Sequence, residues 1–365
     1  MAAPWRRHQN EAMRSSRIAS VLVGVGLVAA LSGCGTINSS ASITSPSATT
    51  GAPATSSASA ATSSYTLIRE PEDGYQPIYD FISSAQTTLD MTMYALVDPK
   101  ANAALIAVAK RGVEVRVLLD ADPADGGGPA VNQAAYDELK ANGVSVDWTW
   151  SGVLWHQKSI VVDGRAVAVM TFNLYAAYYP VLRDFAVITD NPAIVSGVEA
   201  TFENDFDDTG THPTPGVVPA GSGLIWSPGA QTGLVDLIGS ARAGTTLYAE
   251  NEQLDSTAIE QALIAAVNRG VTVNLTMTNS ASYVTGFDTL KAGGVHVSLY
   301  QANAPLYIQA KTISVNGSTV YVGSTNFTTA STDDDRNMGI ITTNPTVVQG
   351  ITSTMASDFA GATPY

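Results

Sequence analysis

Downstream of residue 65, strand-like runs of apolar residues alternate with segments whose apolar residues have helical spacing. Runs rich in Val, Ile, Leu and Thr predict β-strands at residues 88–96, 113–119, 144–150 and 185–189. Segments with apolar side chains three and four residues apart predict α-helices at residues 102–111, 131–142 and 192–205. Strands that alternate with helices of these lengths are typical of an α/β sandwich.

The same pattern occurs a second time after a Pro- and Gly-rich joint at residues 207–223. The segment ALIAVAKRGVEVRVLL at 104–119 matches ALIAAVNRGVTVNLTM at 262–277, at an offset of 158 residues. Farther along the chain the offset falls to 153, so a loop of the second copy is shorter by five residues. We therefore predict one duplicated fold, with half 1 at residues 65–206 and half 2 at residues 224–365.

The most polar part of the repeat is a predicted hairpin, with the sequence WHQKSIVVDGRAVAVMTFNL from Trp155 in half 1. His156 and Lys158 are two residues apart, so their side chains leave the same face of a strand. A tight Asp163-Gly164 turn then starts the returning strand, which brings Thr171 and Asn173 back to the same end. An imidazole, an ammonium, a hydroxyl and an amide at one place are suited to holding a phosphate.

Half 2 carries the matching hairpin IQAKTISVNGSTVYVGSTNF from Ile308. His-x-Lys, then four residues, Asp and a Gly-Ser-x-Asn-like end, present twice, resembles the phospholipase D superfamily from about residue 65 to 358. The resemblance implies two tandem α/β halves related by a pseudo-twofold axis, a site where the paired motifs meet, and no metal or other cofactor. It implies that His156 attacks phosphorus to form a phosphohistidine, with Lys158 and Asp163 as further members of the catalytic motif. It also implies that Asp184 fixes the tautomer of the imidazole, and that phosphate is held by Lys158, Asn173, Lys311 and Asn326.

Half 2 departs from the family pattern at three positions. Gln309 stands in place of the second histidine, and a glutamine donates hydrogen bonds but carries no titrating proton. Asn316 replaces the motif acid, and Asn337 stands where Asp184 stands in half 1. Half 2 is therefore expected to bind phosphate without transferring protons. The residues expected to contribute to this binding are Gln309, Lys311, Ser324 and Asn326.

Three outcomes are open for the missing proton donor. Another group supplies the proton, the candidates being His212, Glu252, His296 and Tyr307; or the leaving group departs without a proton; or the protein binds phosphodiesters without cleaving them. The function that the resemblance implies is a phospholipase D-type phosphodiesterase that hydrolyses phospholipids. A catalytically impaired phospholipid- or phosphate-binding lipoprotein is the alternative, and a nuclease is a third reading.

The amino-terminal segment has the pattern of an export signal. Arg14 and Arg17 precede an apolar run at residues 18–31, and small residues lead to Cys34, the only cysteine of the chain. This resembles the lipobox of bacterial lipoproteins, so residues 1–33 are predicted to be a signal peptide and Cys34 the lipidated residue. Residues 34–64 are predicted to be a flexible tether, because Ser, Thr, Ala, Gly and Pro dominate them. The enzyme is thus expected in a bacterial cell envelope, exported and anchored in the membrane by its lipid.

The charge of the chain bears on the substrate. The full sequence has a net charge of −14, and beyond residue 33 it has 14 basic and 31 acidic residues. A strongly negative surface repels a nucleic-acid backbone, so a phospholipid or another phosphodiester is the expected partner and nucleic acid is not. Trp148, Trp150 and Trp155 are either core residues or the lining of an acyl or choline site. A monomer is expected.

Overall fold

The computed structural model describes residues 63–122, 127–207, 213–302 and 305–365. The predicted signal peptide, Cys34, nearly all of the tether and His212 lie outside the described residues. The described residues belong to one compact unit, Ser63–Tyr365.

The described residues of half 1 form nine strands and four helices. The strands are β1 (Tyr65–Glu70), β2 (Thr88–Met93), β3 (Leu96–Val97), β4 (Glu114–Leu119), β5 (Ser145–Trp148), β6 (Lys158–Val162), β7 (Ala166–Met170), β8 (Leu174–Tyr175) and β9 (Leu182–Thr189). The helices are α1 (Gln76–Ser83), α2 (Pro99–Lys110), α3 (Pro129–Ala141) and α4 (Pro192–Asp207), and a 3₁₀ turn covers Ala176–Tyr178.

The described residues of half 2 form nine strands and five helices. Its strands are β10 (Leu224–Ser227), β11 (Thr246–Glu250), β12 (Thr272–Thr278), β13 (His296–Tyr300), β14 (Tyr307–Ile308), β15 (Thr312–Val315), β16 (Thr319–Gly323), β17 (Asn337–Thr342) and β18 (Thr363–Pro364). Its helices are α5 (Ala230–Gly239), α6 (Thr257–Asn268), α7 (Val284–Ala292), α8 (Thr329–Asp333) and α9 (Pro345–Gly361), and a 3₁₀ turn covers Ala281–Tyr283.

The local sequence explains the matched helices of the two halves. The side chain of Asp98 caps α2 by accepting a hydrogen bond from the amide of Lys100, and Ser256 caps the matching α6 through the amide of Ile259. Both helices end at a glycine with positive φ, +91° at Gly112 and +88° at Gly270, where a side chain would be strained. The same start and stop signals thus produce the same helix twice.

The two main sheets have the same strand order. One runs β1-β9-β7-β6-β2-β4-β5, and the other runs β10-β17-β16-β15-β11-β12-β13-β18. The strands β2, β4 and β5 are parallel to one another, as are β11, β12 and β13, and the remaining neighbours within this shared order are antiparallel. The predicted α/β fold of two tandem halves is therefore confirmed.

The central strands are buried on both faces. In β6, Ile160 and Val162 join the core beneath α1, α2 and α3, whereas Val161 joins a second core. That second core is shared, because it also contains Val320 and Val322 of half 2. Each fully buried Val or Ile contributes about 1.5–3 kcal/mol, so the shared core holds the two sheets together.

Short strand segments also cross between the halves. Strand β14 of half 2 pairs in parallel with β9 of half 1, through Tyr307 opposite Leu182 and Ile308 opposite Arg183. In the reverse direction, Trp155 forms a parallel bridge with Arg336. These crossings place the start of each motif hairpin against the other half.

Candidate active site

The two hairpins bring the motif residues to the junction of the halves. His156 lies just before β6, which starts at Lys158, and Gln309 and Lys311 lie just before β15. All four side chains are buried, with Lys158 and Lys311 at 0% exposure. His156 of half 1 contacts Ser324 and Asn337 of half 2, so side chains of the two halves meet at one place, where the charge of Lys311 also acts on His156 and Lys158.

The imidazole of His156 is oriented by half 2. Its Nδ1 lies 3.0 Å from the carbonyl oxygen of Ser324 and 3.1 Å from Oδ1 of Asn337. The Nδ2 group of Asn337 donates to the carbonyl of Ser331, which fixes Oδ1 as the atom that faces the histidine. Both neighbours of Nδ1 are acceptors, so Nδ1 carries the hydrogen and Nε2 keeps a free electron pair.

Electrostatics favour the uncharged forms of His156 and Lys158. Burial lowers the pKa of the imidazole well below its usual range, and the ammonium groups of Lys158 and Lys311 lower it further. Burial, followed by the charge of Lys311, also lowers the pKa of Lys158 well below its usual range. An anion placed between the two lysines would relieve this repulsion.

The two lysines have different surroundings. Lys158 Nζ donates to the main-chain oxygen of His156 and lies 4.9 Å from the centre of the Tyr94 ring. Lys311 Nζ donates to Oε2 of Glu252 at 2.8 Å, and the hydroxyl of Tyr307 lies 3.4 Å from Oε1 of that carboxylate. Half 2 therefore has a carboxylate where half 1 has an aromatic ring.

Asp184 does not hold His156. Its Oδ1 accepts a hydrogen bond from the hydroxyl of Thr171, whereas Asn337 occupies the place beside the imidazole. The prediction that Asp184 fixes the tautomer of His156 is therefore wrong. The reason is that the motifs cross at the axis, so the residue at this position of one half faces the motif of the other half. On the other side of the junction, the main-chain oxygen of Arg183, the residue before Asp184, accepts the amide hydrogens of Gln309 and Ala310.

Asp163 lies outside the site. It occupies the hairpin turn with φ +55°, and its carboxylate accepts hydrogen bonds from the amides of Gln86, Thr87 and Thr88. At about 3.3 Å per residue, the turn is about 20 Å along the chain from His156. Asn316 has the same role in half 2, with φ +58° and a hydrogen bond from the amide of Arg242. The expectation that Asp163 is catalytic is corrected to a structural role.

Several amide groups of the site retain unused acceptor atoms. Among the described residues, Oδ1 of Asn173, Oδ1 of Asn326 and Oε1 of Gln309 have no hydrogen-bond donor. These side chains are 4–7% exposed, so their amides are held in the buried junction. The hydroxyl of Ser324 donates to Oδ1 of Asn337 and thus supports the partner of His156.

Two residues of the site were missed from the sequence. The ring of Tyr94 packs edge-on against the His156 imidazole, with 4.9 Å between centroids, in addition to its contact with Lys158. Asp120 accepts the amide hydrogen of Trp155 at 2.8 Å, and burial raises the pKa of this carboxyl to about 8. The 158-residue offset aligns Tyr94 with Glu252 and Asp120 with Thr278. These differences between the two halves are the sequence signal that could have identified both residues.

Other candidates from the sequence lie elsewhere. His296 is exposed on β13 and bonds to Asn274, so it is not part of the site. Trp148 stacks on Tyr136 beside the half 1 core, and Trp155 is buried beside Arg336. No helix of the described chain is both long and apolar enough to cross a membrane. Within the described ranges, no three or more His, Cys, Asp or Glu side chains are grouped so that they could hold a metal ion.

A sequence model of the family described as "Cardiolipin synthase, PLD-like domain" matches residues 78–206 and 234–359. The chain is 23% identical over 341 residues to the "Major cardiolipin synthase ClsA" of Bacillus subtilis, covering 81% of this chain and 69% of that protein. It is 27% identical over 124 residues to the "Mitochondrial cardiolipin hydrolase" of Xenopus laevis, covering 34% of this chain and 57% of that one. Several of the curated relatives are matched over only 26% to 57% of their own length.

The fold also resembles that of a solved structure. The crystal structure of phosphatidylserine synthase from Haemophilus influenzae superposes with a TM-score of 0.63 at 10% sequence identity. The match covers 82% of this chain and 87% of that chain, so both halves of the fold are included.

Proposed function

The chain belongs to the phospholipase D superfamily, in the family described as "Cardiolipin synthase, PLD-like domain", and from this membership we propose that it hydrolyses the phosphodiester bond of a phospholipid through a phosphohistidine at His156. One observation carries the proposal. Nδ1 of His156 faces the two acceptors Ser324 O and Asn337 Oδ1, which leaves Nε2 as an uncharged nucleophile beside two lysines.

The first step forms the phosphoenzyme. Nε2 of His156 attacks phosphorus, an N–P bond forms, and the P–O bond to the leaving alcohol breaks. Negative charge that gathers on the phosphoryl oxygens is stabilised by Lys158 and Lys311, which lie in the water-poor junction of the halves. In the proposed step, the amides of Asn173 and Asn326 orient the same oxygens.

The second step regenerates the histidine. Water attacks phosphorus, the N–P bond breaks, and the phosphorylated product leaves. As the imidazole becomes positively charged in the phosphoenzyme, the carbonyl of Ser324 and Oδ1 of Asn337 continue to accept its Nδ1 hydrogen. Because Asn337 is neutral, it orients the ring without the charge stabilisation that an aspartate provides.

Gln309 favours a second candidate function. Gln309 cannot protonate a leaving group. A chain without another acid would therefore bind phosphodiesters but would not cleave those with a poor leaving group. Such a protein would serve as a phosphate- or phospholipid-binding lipoprotein.

The test compares two substrates and two variants. A p-nitrophenyl phosphodiester has a leaving group that needs no proton, whereas phosphatidylcholine in vesicles has one that does. We expect the wild-type protein to cleave both, and His156→Gln to lose at least about 10³-fold on both. The exposed His296 serves as the control, because His296→Gln should retain the activity. If the wild-type protein binds inorganic phosphate and releases product from neither substrate, the binding function replaces the enzyme.

For the location, we propose that Cys34 anchors the exported enzyme in the envelope membrane through a lipid. The support is the sequence pattern before Cys34 and the Ser- and Thr-rich stretch after it. In cells fed labelled palmitate, the full chain should incorporate label and sediment with membranes, and Cys34→Ala should do neither. Unlabelled wild-type protein would contradict the anchor.

A further inference from the structure

Two carboxyl groups face each other beside the catalytic junction. Glu70 of β1 and Asp184 of β9 are directly opposite in the antiparallel register, where Cβ atoms are about 5 Å apart. They are 1% and 0% exposed. Oε1 of Glu70 and Oδ2 of Asp184 have no hydrogen-bond partner within the described chain, and neither has the nearby buried hydroxyl of Tyr75.

The nearby arginine does not neutralise this pair. Arg183 bonds the main-chain oxygen of Glu70, and its ion pairs are with the carboxylates of Glu72 and Asp358. Two buried carboxylates that close to one another repel strongly, so the pair keeps a proton that isolated carboxyls would lose.

The electrostatic surroundings agree with a shared proton. Burial raises the pKa of Asp184 to about 7, and Lys311 and Lys158 moderate this rise. Burial raises the pKa of Glu70 to about 8, with the charge of Asp184 as the next cause. The other titratable or charged groups that act on the pair are Glu72, Asp73, Tyr75, Arg183, Glu250 and Glu252.

The repeat indicates that this pair lies on the side of the site where the second motif histidine of the family would supply the general acid. Asn337 of half 2 sits beside the motif residue His156, and Asp184 is the half 1 residue at the same repeat position. The motif residue on that side is Gln309, which has no titrating proton. The main-chain oxygen of Arg183 accepts the amide hydrogen of Gln309 at 3.2 Å, so the adjacent Asp184 lies beside the half 2 motif, and the charges of Lys311 and Lys158 act on its carboxyl.

Resting on the function proposed above, we propose that Asp184 and Glu70 together are the general acid and base of this enzyme, in place of a second histidine. When Nε2 of His156 forms its bond to phosphorus and the P–O bond breaks, the leaving alkoxide takes the proton of Asp184 through a water molecule beside Gln309. Asp184 becomes a carboxylate, so the pair then carries two negative charges, and the ammonium groups of Lys311 and Lys158 stabilise the charge on Asp184. In the second step the attacking water gives its proton to Asp184, the N–P bond breaks, and the pair is restored.

Leaving-group dependence is the first test. A missing acid costs about 10²- to 10⁴-fold, but only where the leaving group needs a proton. In single-turnover reactions, Asp184→Asn should therefore lose at least tenfold more rate on a phosphatidyl lipid than on a p-nitrophenyl phosphodiester. An equal loss on both substrates would show that Asp184 has a structural role, and the proposal would be overturned.

The pH profile is the second test. Cleavage of the phosphatidyl lipid should decline as the pH rises through the pKa of the pair, because the acid must be protonated. Glu70→Gln removes the repelling charge, so this descending limb should move to lower pH by about one unit. Asp90→Asn is the matched control, since Asp90 is a buried carboxyl of the same half that pairs with Arg116, and its limb should stay in place. A limb that does not move in Glu70→Gln contradicts the shared proton.

A third variant keeps this inference separate from the proposed function. In Gln309→His the new imidazole takes over the proton transfer, so adding Glu70→Gln should no longer move the limb. A phosphoenzyme that forms in the wild-type protein, with no effect of Glu70 or Asp184 on leaving-group dependence, would end the carboxyl-pair proposal and leave the nucleophile in place. A wild-type protein that forms no phosphoenzyme would remove both.

Discussion

Oδ1 of Asn337 lies 3.1 Å from Nδ1 of His156, so the second half of the chain orients the histidine of the first. The carbonyl of Ser324, also in half 2, completes the arrangement at 3.0 Å. The half that has lost its own histidine therefore still determines the tautomer of the remaining one.

A carboxylate in place of Asn337 should change the titration of His156. In Asn337→Asp, a negative charge next to Nδ1 favours the imidazolium, so the pKa of His156 should rise by about 1–3 units. The ascending limb of phosphoenzyme formation with a p-nitrophenyl phosphodiester should then move to higher pH, because the nucleophile must be neutral. NMR titration of the His156 ring checks the same shift directly. An unchanged limb would mean that Asn337 does not contact the working imidazole.

Binding of an anion should be accompanied by proton uptake. Burial and the charge of Lys311 lower the pKa of Lys158, and a bound phosphate should raise it again. Affinity for inorganic phosphate should accordingly weaken as pH rises through the pKa of Lys158 in the complex. Calorimetry in buffers of different ionisation enthalpy measures the uptake, which should shrink in Lys158→Met. Equal proton uptake in both proteins would rule out Lys158 as its source.

A buried ion pair across the junction of the halves should stabilise the fold more than an exposed ion pair does. Arg336 is 0% exposed, and its guanidinium pairs with Asp205 and lies 4.7 Å from the centre of a Trp226 ring. Arg336→Met leaves a buried carboxylate without its cation, which should lower the free energy of unfolding by about 3–5 kcal/mol. Adding Asp205→Asn should recover part of the loss in urea unfolding, and the exposed pair of Arg69 and Asp73 provides the control. A loss in Arg336→Met as small as that of the exposed pair would contradict this role.

Loss of the Asp163 side chain should affect stability and not chemistry. Burial alone would raise the pKa of Asp163, but hydrogen bonds from the amides of Thr87, Thr88 and Gln86 outweigh it and lower the pKa. This stabilisation is present above the unfolded-state pKa and is lost as the pH falls through the lower folded-state pKa. Asp163→Ala should reduce the free energy of unfolding by about 1–2 kcal/mol near neutral pH, with kcat within about twofold of the wild-type value. A large fall in kcat in well-folded protein would restore a catalytic role.

Much of the fold could be predicted from the sequence because the same pattern of helices and strands occurs twice in the chain. The matching segments at 104–119 and 262–277 place the same helix and strand in each half, and the structure contains both. The face of the sheet on which each strand residue lies could not be predicted. Strands β6 and β7 are buried on both sides, so their continuous apolar runs carry no alternation to read.

The spacing of the hairpin predicted the lysines and amides of the site, but not which half supplies each partner. Asn337 of half 2 contacts His156 of half 1 because the two halves cross where their motifs meet, and a repeat in the sequence does not show that crossing. Glu70 was missed for a similar reason: it meets Asp184 only through the pairing of β1 with β9, strands more than a hundred residues apart in the chain. Buried pairs of carboxyl groups of this kind depend on the register of the sheet and not on the local sequence pattern.

The phosphohistidine at His156 is tested most directly by trapping the covalent intermediate. Wild-type protein is mixed with a p-nitrophenyl phosphodiester, quenched at alkaline pH because a phosphohistidine is acid-labile, and digested for mass spectrometry. We expect one modified peptide, with the phosphoryl adduct on Nε2 of His156, and none in His156→Gln. Turnover in the wild-type protein with no adduct on His156, or undiminished turnover in His156→Gln, would contradict it.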